Sequence, residues 1–367
     1  MVEPRRFEEL IAKHGTPLLA LDRRRLRANV ELLRRELPGV EIYYAVKANP
    51  HPIVLETMRD MGCGFDVASY DELRTVLDSR GPLERCLYTH PTKRPDEIER
   101  MLAAGIKTWF FDNASELDKL AAMAPGSRVV LRVRAANPDC VVDLSEKFGT
   151  APDEAEGLLG LAIDKGLKPV GLAFHVGSQT SIPQPYVDMI TTAKRIFDHM
   201  QVRGHPLELL DIGGGFPVDY GRGMVMDFEL FCAPIRAALQ TYFPSTRVIA
   251  EPGRFVVADA ATLALRVISH AERNGLMWYY VEDGVYGAFS GHVFDHAKYR
   301  FSTQVQGPPR PCIIAGPTCD SFDVIARDAY LPELAVGDLL FAHEMGAYTN
   351  ASATTFNGIP LTPVVEV

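Results

Sequence analysis

Ile42-Tyr43-Tyr44-Ala45-Val46-Lys47-Ala48-Asn49-Pro50 is a short apolar run that closes on a lone lysine. Seven further apolar runs follow it: Phe65–Ala68, Cys86–Thr89, Thr108–Phe111, Val129–Val133, Val170–Val176, Leu207–Ile212 and Val248–Ala250. Helix-like stretches lie between them, among them Pro95–Ala104 and Asn113–Ala122. Asn113 precedes Ala-Ser-Glu, the pattern of an N-cap with an acidic first turn. Strand–helix alternation of this kind means parallel strands joined by helical crossovers. Eight such units over about 240 residues predict a closed (β/α)₈ barrel, with an open doubly wound sheet as the alternative.

The texture changes near residue 260. Thr262–His270, Gly275–Val281, Pro311–Ala315, Asp338–Phe341 and the C-terminal tail read as strands, with turn residues such as Gly307-Pro308-Pro309 between them. The chain therefore divides into a barrel over 22–259 and a mostly β domain over 260–367. Residues 1–21 lend that domain a strand through Thr16–Leu21.

Hydrophobic residues make up 47% of the 367, enough for a substantial core. A formal net charge of −9 argues against a nucleic-acid or anionic-membrane footprint. The six cysteines form no C-x-x-C pair, which suggests neither a zinc site nor a redox dithiol, and their sparseness fits a reducing cytosol. Met1–Ala20 has no apolar core of the kind a signal peptide carries, and no apolar run is long enough to span a bilayer. A cytoplasmic protein without bound metal is the expectation.

In a barrel of this kind chemistry gathers at the carboxyl ends of the strands. Lys47 follows the first run and Asp66 lies in the second. Arg132 is near the end of the fifth, and His175 with Gly177-Ser178 ends the sixth. Asp211 and Gly213-Gly214-Gly215 end the seventh, and Glu251-Pro252-Gly253-Arg254 the eighth. Each has an ordinary reading. Lys47 can extend its stem to solvent, the glycines can make a tight turn, Glu251 and Arg254 can pair, and His175 can be a satisfied core histidine. Read together they suit one ligand. A partly neutral lysine at a strand end attacks an aldehyde. A glycine turn with Ser178 and Arg254 cradles a phosphate. Glu251 faces a protonated ring nitrogen. Pyridoxal phosphate needs all three.

The motifs YYAVKAN, FDVAS, LSEKFG, FHVGSQ, DIGGGFP, EPGRFVVADA, DGVYGAF, FDHA, GPTCDSFD, LPELAVGD and GAYTNASATTFNG occur in that order. In this the chain resembles the ornithine decarboxylases of the ornithine/diaminopimelate/arginine decarboxylase family, which are alanine-racemase-like (fold type III) pyridoxal-phosphate enzymes. The resemblance implies decarboxylation of L-ornithine to putrescine, a step of polyamine biosynthesis, through a Schiff base and a quinonoid. It assigns the Schiff base to Lys47, the ring nitrogen to Glu251 and ring stacking to His175. The phosphate falls to Ser178, Gly214, Gly215, Arg254 and Tyr348. A charged layer behind the ring and lysine falls to Asp66, Arg132 and Glu72.

The resemblance also implies a homodimer whose active sites lie at the interface. There the partner subunit supplies Cys319 as the acid that returns a proton to Cα. It also supplies Asp320 as a holder of the substrate's distal amine, with Phe356 at the border. Tyr286, Phe294 and Asp295 complete the substrate set, Asp295 with Asp320 forming a two-carboxylate clamp. Phe294 stands where the animal enzymes have tyrosine, HVGSQ stands for HVGSG, and Val367 follows soon after the last motif. The last feature suggests a compact microbial form, some of which also accept lysine. A bifunctional lysine/ornithine decarboxylase is thus the nearest alternative. A racemase would be expected to carry a partner tyrosine where this chain has Cys319. A regulatory relative like the antizyme inhibitors would lose cofactor contacts that this chain keeps.

Overall fold

The computed structural model describes residues 4–142, 144–220 and 226–367. Residues 1–3 of the N-terminal reading, and 143 and 221–225 of the barrel reading, lie outside them. The described residues form two compact units. One comprises Arg27–Pro217 with the described part of Met224–Phe255; the other contains the N-terminal stretch to Leu26 and Val256–Val367.

The first strand, β1 (Leu18–Leu21), belongs to the second of these units. The next eight are β2 (Val40–Ala45), β3 (Gly64–Val67), β4 (Cys86–Tyr88), β5 (Thr108–Phe111), β6 (Arg128–Arg134), β7 (Lys168–His175), β8 (Leu209–Asp211) and β9 (Arg247–Ala250). They close a parallel barrel, in which β2 pairs β9 with Ile42 opposite Ala250. The closed barrel settles the choice against an open sheet. Its strands read as unbroken apolar runs because both faces are covered. Tyr43, Phe110, Val130, Ala173, Leu209 and Ile249 pack together as a core.

Helix starts follow the polar signals in the sequence. Asn113 accepts the Glu116 N–H at 3.0 Å and Ser69 accepts the Glu72 N–H at 3.2 Å, each satisfying an orphan donor of a first turn. Pro95 opens the helix Pro95–Ala104, and Gly105 ends it at φ +101°, a conformation that favours glycine.

In the β unit, β10 (Ala261–Arg273), β11 (Leu276–Val281), β12 (Phe301–Thr303), β13 (Arg310–Ala315), β14 (Val324–Leu331), β15 (Leu339–Ala342) and β16 (Val364–Glu366) follow. The sheet runs β12-β15-β10-β11-β13-β14. As expected, β1 joins it, antiparallel to β10 and parallel to β16. Phe7, Ile11, Leu18, Ala20, Ala264, Phe341 and Val367 form its core beneath the helix Pro4–His14. The sequence reading missed β12 and β14. Both are edge strands, and β14 exposes Arg327 and Asp328 in its middle, so neither carries the apolar alternation of a covered strand.

Candidate active site at the barrel mouth

The polar residues sought at the strand ends collect at the carboxyl end of the barrel. β2 stops at Ala45, and Val46–Ala48 forms a single 3₁₀ turn. Lys47 is thus on a turn beyond the strand, not on the strand, as the apolar run to Val46 implied. Its side chain is 44% exposed, and Nζ donates to Asp66 Oδ2 at 2.7 Å. The other oxygen of Asp66 accepts from the Thr89 hydroxyl. Asp66 itself is buried on β3, so both oxygens need these donors.

Asp211 closes β8 and Glu251 follows β9, which puts two carboxyl groups side by side within hydrogen-bonding range. Burial is the first cause raising both above the usual carboxylate range; Asp211 is pushed up to about 7, its charge raises Glu251 further, and the hydrogen bond with Glu251 acts to lower Asp211. Gly213 N–H donates to Asp211 Oδ1 at 2.8 Å. Glu251 Oε1 is buried with no donor on it from the chain. Arg132 is held lower than an ordinary guanidinium by burial, against the pull of Glu251, Asp112, Asp211 and Asp66. It lies over the Phe148 ring at 5.3 Å.

His175 is the last residue of β7. Its Nδ1 accepts the Gly177 N–H at 3.0 Å, so a neutral ring carries its proton on Nε2. Burial, then the charges of Arg132 and Lys47, hold its pKa well below 6.5. The imidazole therefore stays neutral and offers an uncharged face.

The glycine turn is shaped for close approach. A Cβ on Gly213 would lie 2.3 Å from Phe174 O, and on Gly215 2.3 Å from Gly177 O; both have positive φ, +68° and +108°. Gly214 would meet Glu251 O at 2.6 Å. Ser178 is fixed by its backbone, which exchanges hydrogen bonds with Val141 and Val142 at 2.9 and 3.0 Å. Its hydroxyl accepts from Arg254 at 3.4 Å, and Arg254 is buried. A serine hydroxyl, a buried guanidinium and a tight glycine turn make an anion cradle.

Glu72 interacts electrostatically with Lys47 and Asp66, and burial holds it above the usual carboxylate range. Its Oε2 accepts the Ala68 N–H at 2.7 Å, so the carboxylate closes the start of the helix Tyr70–Asp78 as in a capping box. Two contributors escaped the sequence reading. Thr89 ends the third apolar run, so the strand-end rule already pointed to it. Tyr186, buried on the helix Gln184–Val202, donates to Gly214 O at 2.8 Å, and nothing in a helical pattern announces that.

The remaining predicted residues belong to the β unit. Tyr286 donates to Asp320 Oδ2 and stacks on Phe356 with ring centres 4.4 Å apart. Cys319 is exposed, its N–H bound to Asn357 Oδ1 at 3.1 Å. The Phe322 N–H and the Tyr286 hydroxyl hold Asp320 below the usual carboxylate range. Phe294 ends the short helix Gly291–Phe294 with its side chain 64% exposed, and Asp295 caps it. Tyr348 adopts a left-handed backbone at φ +52°.

Residues 23–258 match the family described as pyridoxal-dependent decarboxylase, pyridoxal binding domain. The chain belongs to this family. It is 37% identical over 350 residues to the lysine/ornithine decarboxylase of Selenomonas ruminantium, spanning 95% of this chain and 89% of that protein. It is 40% identical over 352 residues to the ornithine decarboxylase of Schizosaccharomyces pombe, spanning 91% and 80%. The solved lysine/ornithine decarboxylase of Vibrio vulnificus, complexed with cadaverine, superposes with a TM-score of 0.93 at 40% identity over 99% of this chain and 98% of that one. Pyridoxal phosphate is the cofactor of a pyridoxal-dependent decarboxylase, and the barrel mouth fits it. The buried Glu251 Oε1 lacks a donor, as an acceptor for a ring N–H requires. The Ser178–Arg254 cradle matches the phosphate, and Lys47 offers a positioned amine.

Proposed function

We propose that this chain is a pyridoxal-phosphate-dependent decarboxylase that converts L-ornithine to putrescine. The observation that carries the reading is the joint presence, at one barrel mouth, of the Lys47–Asp66 pair, the unpartnered Glu251 oxygen and the Ser178–Arg254 cradle. Bound pyridoxal phosphate supplies an electron sink for the pair released when the carboxylate leaves. The rest is the work of this chain's residues.

Lys47 Nζ, oriented by Asp66, would hold the cofactor through its aldehyde and give way to the α-amine of the substrate. Glu251 keeps the ring nitrogen protonated, helped in sign by the nearby Asp66 and opposed by Arg132. His175 lies neutral against the ring, where an added charge would oppose the electron flow. Ser178, Arg254, Gly214, Gly215 and Tyr348 hold the phosphate. Cys319 Sγ returns a proton to Cα after carbon dioxide leaves. Asp295 and Asp320 bind the distal ammonium, and the Tyr286 hydroxyl orients Asp320. Phe294 and Phe356 border that end of the substrate.

Cys319, Asp320 and Phe356 act in a partner's site, so the working unit is a homodimer in the cytoplasm. The exposure of Cys319, Phe356 and Phe322 in the single chain supports this reading. Among the described residues no helix is long and apolar enough to cross a membrane. The similarity to lysine/ornithine decarboxylases favours a second reading, in which lysine is also accepted. One methylene discriminates by only ~1–3 kcal/mol, which permits dual use. The test is kcat/KM for ornithine, lysine and arginine with pyridoxal phosphate present. Ornithine is expected to lead, lysine to follow and arginine to fail; a preference for arginine refutes the assignment of Asp295 and Asp320.

A further inference from the structure

Asp211 has no place in the scheme above, yet it is fully buried beside Glu251. Gly213 binds both acids: its N–H donates to Asp211 Oδ1 and its carbonyl accepts the Glu251 N–H, each at 2.8 Å. The phosphate turn and the two acids therefore form one connected piece of backbone. Two buried oxygens in it, Asp211 Oδ2 and Glu251 Oε1, have no donor from the chain. An arriving ring N–H can satisfy one. The other needs a proton held between the acids.

We propose that Asp211 is a positioning residue that works as a neutral acid, its O–H holding the Glu251 carboxylate as acceptor for the ring N–H. The proposal rests on the reading of Glu251 given above. Two carboxylates in contact and out of water do not both ionise, and the pair keeps one proton as a unit. Burial raises both groups, the Asp211 charge raises Glu251 further, and the hydrogen bond with Glu251 steadies Asp211 as the acceptor. The charged groups facing the pair are Asp66, which favours retaining the proton, and Lys47 and Arg132, which oppose it. His175 is neutral and adds no charge.

When the ring cation docks, Glu251 ionises against it and its proton crosses the hydrogen bond to Asp211. Glu251–COOH with Asp211–COO⁻ becomes Glu251–COO⁻ with Asp211–COOH. No proton enters or leaves, and no electron moves. Asp211 then donates to Glu251 and still accepts from Gly213.

The test compares Asp211→Asn, which keeps a donor and an acceptor without charge, with Asp211→Ala, which removes both. Pyridoxal phosphate affinity is measured on the cofactor-free protein by absorbance titration. The Asn variant is expected within about threefold of the native chain and the Ala variant at least about tenfold weaker, as for a lost hydrogen bond to a charged group. Difference infrared spectra of the loaded native protein should contain the carbonyl stretch of a neutral carboxylic acid. That band should shift on ¹³C-aspartate labelling and vanish in the Asn variant. Absence of the band from the native protein, or an Asn variant as weak as Ala, overturns the proposal while leaving the functional reading intact. Failure of the native chain to bind pyridoxal phosphate overturns both. If neither variant folds, the labelled native spectrum decides alone.

Discussion

The barrel mouth and the loop cluster of the β unit both carry predicted site residues, but they are built on different terms. At the barrel mouth, Asp66 and Arg254 are buried and matched by partners from other strand ends. In the β unit, Cys319, Phe322 and Phe356 are exposed, and Asp320 is held chiefly by the Tyr286 hydroxyl and the Phe322 N–H. The barrel mouth is organised within one chain, because closing eight parallel strands brings their polar ends together whatever else binds. The β-unit cluster has no such enclosure of its own. On the proposed reading the first set serves the cofactor and the second the substrate, so substitutions in the two should fail in different ways.

The largest effect is expected from Lys47→Ala. It should lower turnover by about 10³-fold or more and abolish the absorbance of the lysine-linked cofactor. Near-normal turnover would break the assignment of cofactor chemistry to the barrel. Lys93→Met tests the barrel frame itself. Lys93 is buried after β4, 3.0 Å from Glu116 Oε1, and also donates to His90 O at 3.0 Å. Its loss leaves a buried Glu116 with Lys119 alone and should cost ~3 kcal/mol in chemical denaturation.

The same pair has a pH signature. Burial lowers Lys93 to about 8, below its ordinary 10.5. Between those values the unfolded chain binds the proton more tightly than the folded one, so stability from this group rises with pH. Relative to Lys93→Met, the native chain should gain about 1 kcal/mol per pH unit above 8. A flat difference would show that Lys93 is not desolvated in solution.

In the β unit, Asp320→Asn should reduce kcat/KM for ornithine by about 30-fold while pyridoxal phosphate affinity stays unchanged. A matching loss of cofactor affinity would erase the division between the two regions. The smallest effect is expected from Tyr286→Phe, which removes one donor from an exposed carboxylate. It should lower kcat/KM by about five- to tenfold and shift the ratio of ornithine to lysine use.

The residues legible in sequence were those whose chemistry is tied to a strand end. Lys47, His175, Asp211, Glu251 and Arg254 all follow apolar runs, so a period of strand and helix was enough to gather them. Glu72 has a second duty that the spacing after Ser69 already suggested, since its carboxylate also accepts a backbone N–H at the helix start. Tyr186 was invisible because a buried tyrosine in a helix reads as core, and only the fold turns its hydroxyl onto Gly214. The edge strands β12 and β14 were missed because half-solvated strands lose the apolar signal.

By itself the sequence determined the barrel, the β unit and the family. Each rests on features that survive without coordinates: alternating periods, polar residues at strand ends and an ordered set of motifs. The tertiary structure decided which acids lose their water. Asp211 and Glu251 stand 40 positions apart in the chain, and only the pairing of β8 with β9 sets their carboxyl groups together away from solvent. Whether a carboxyl group keeps its proton depends on that desolvation and on its neighbour's charge, and neither quantity is written in linear order.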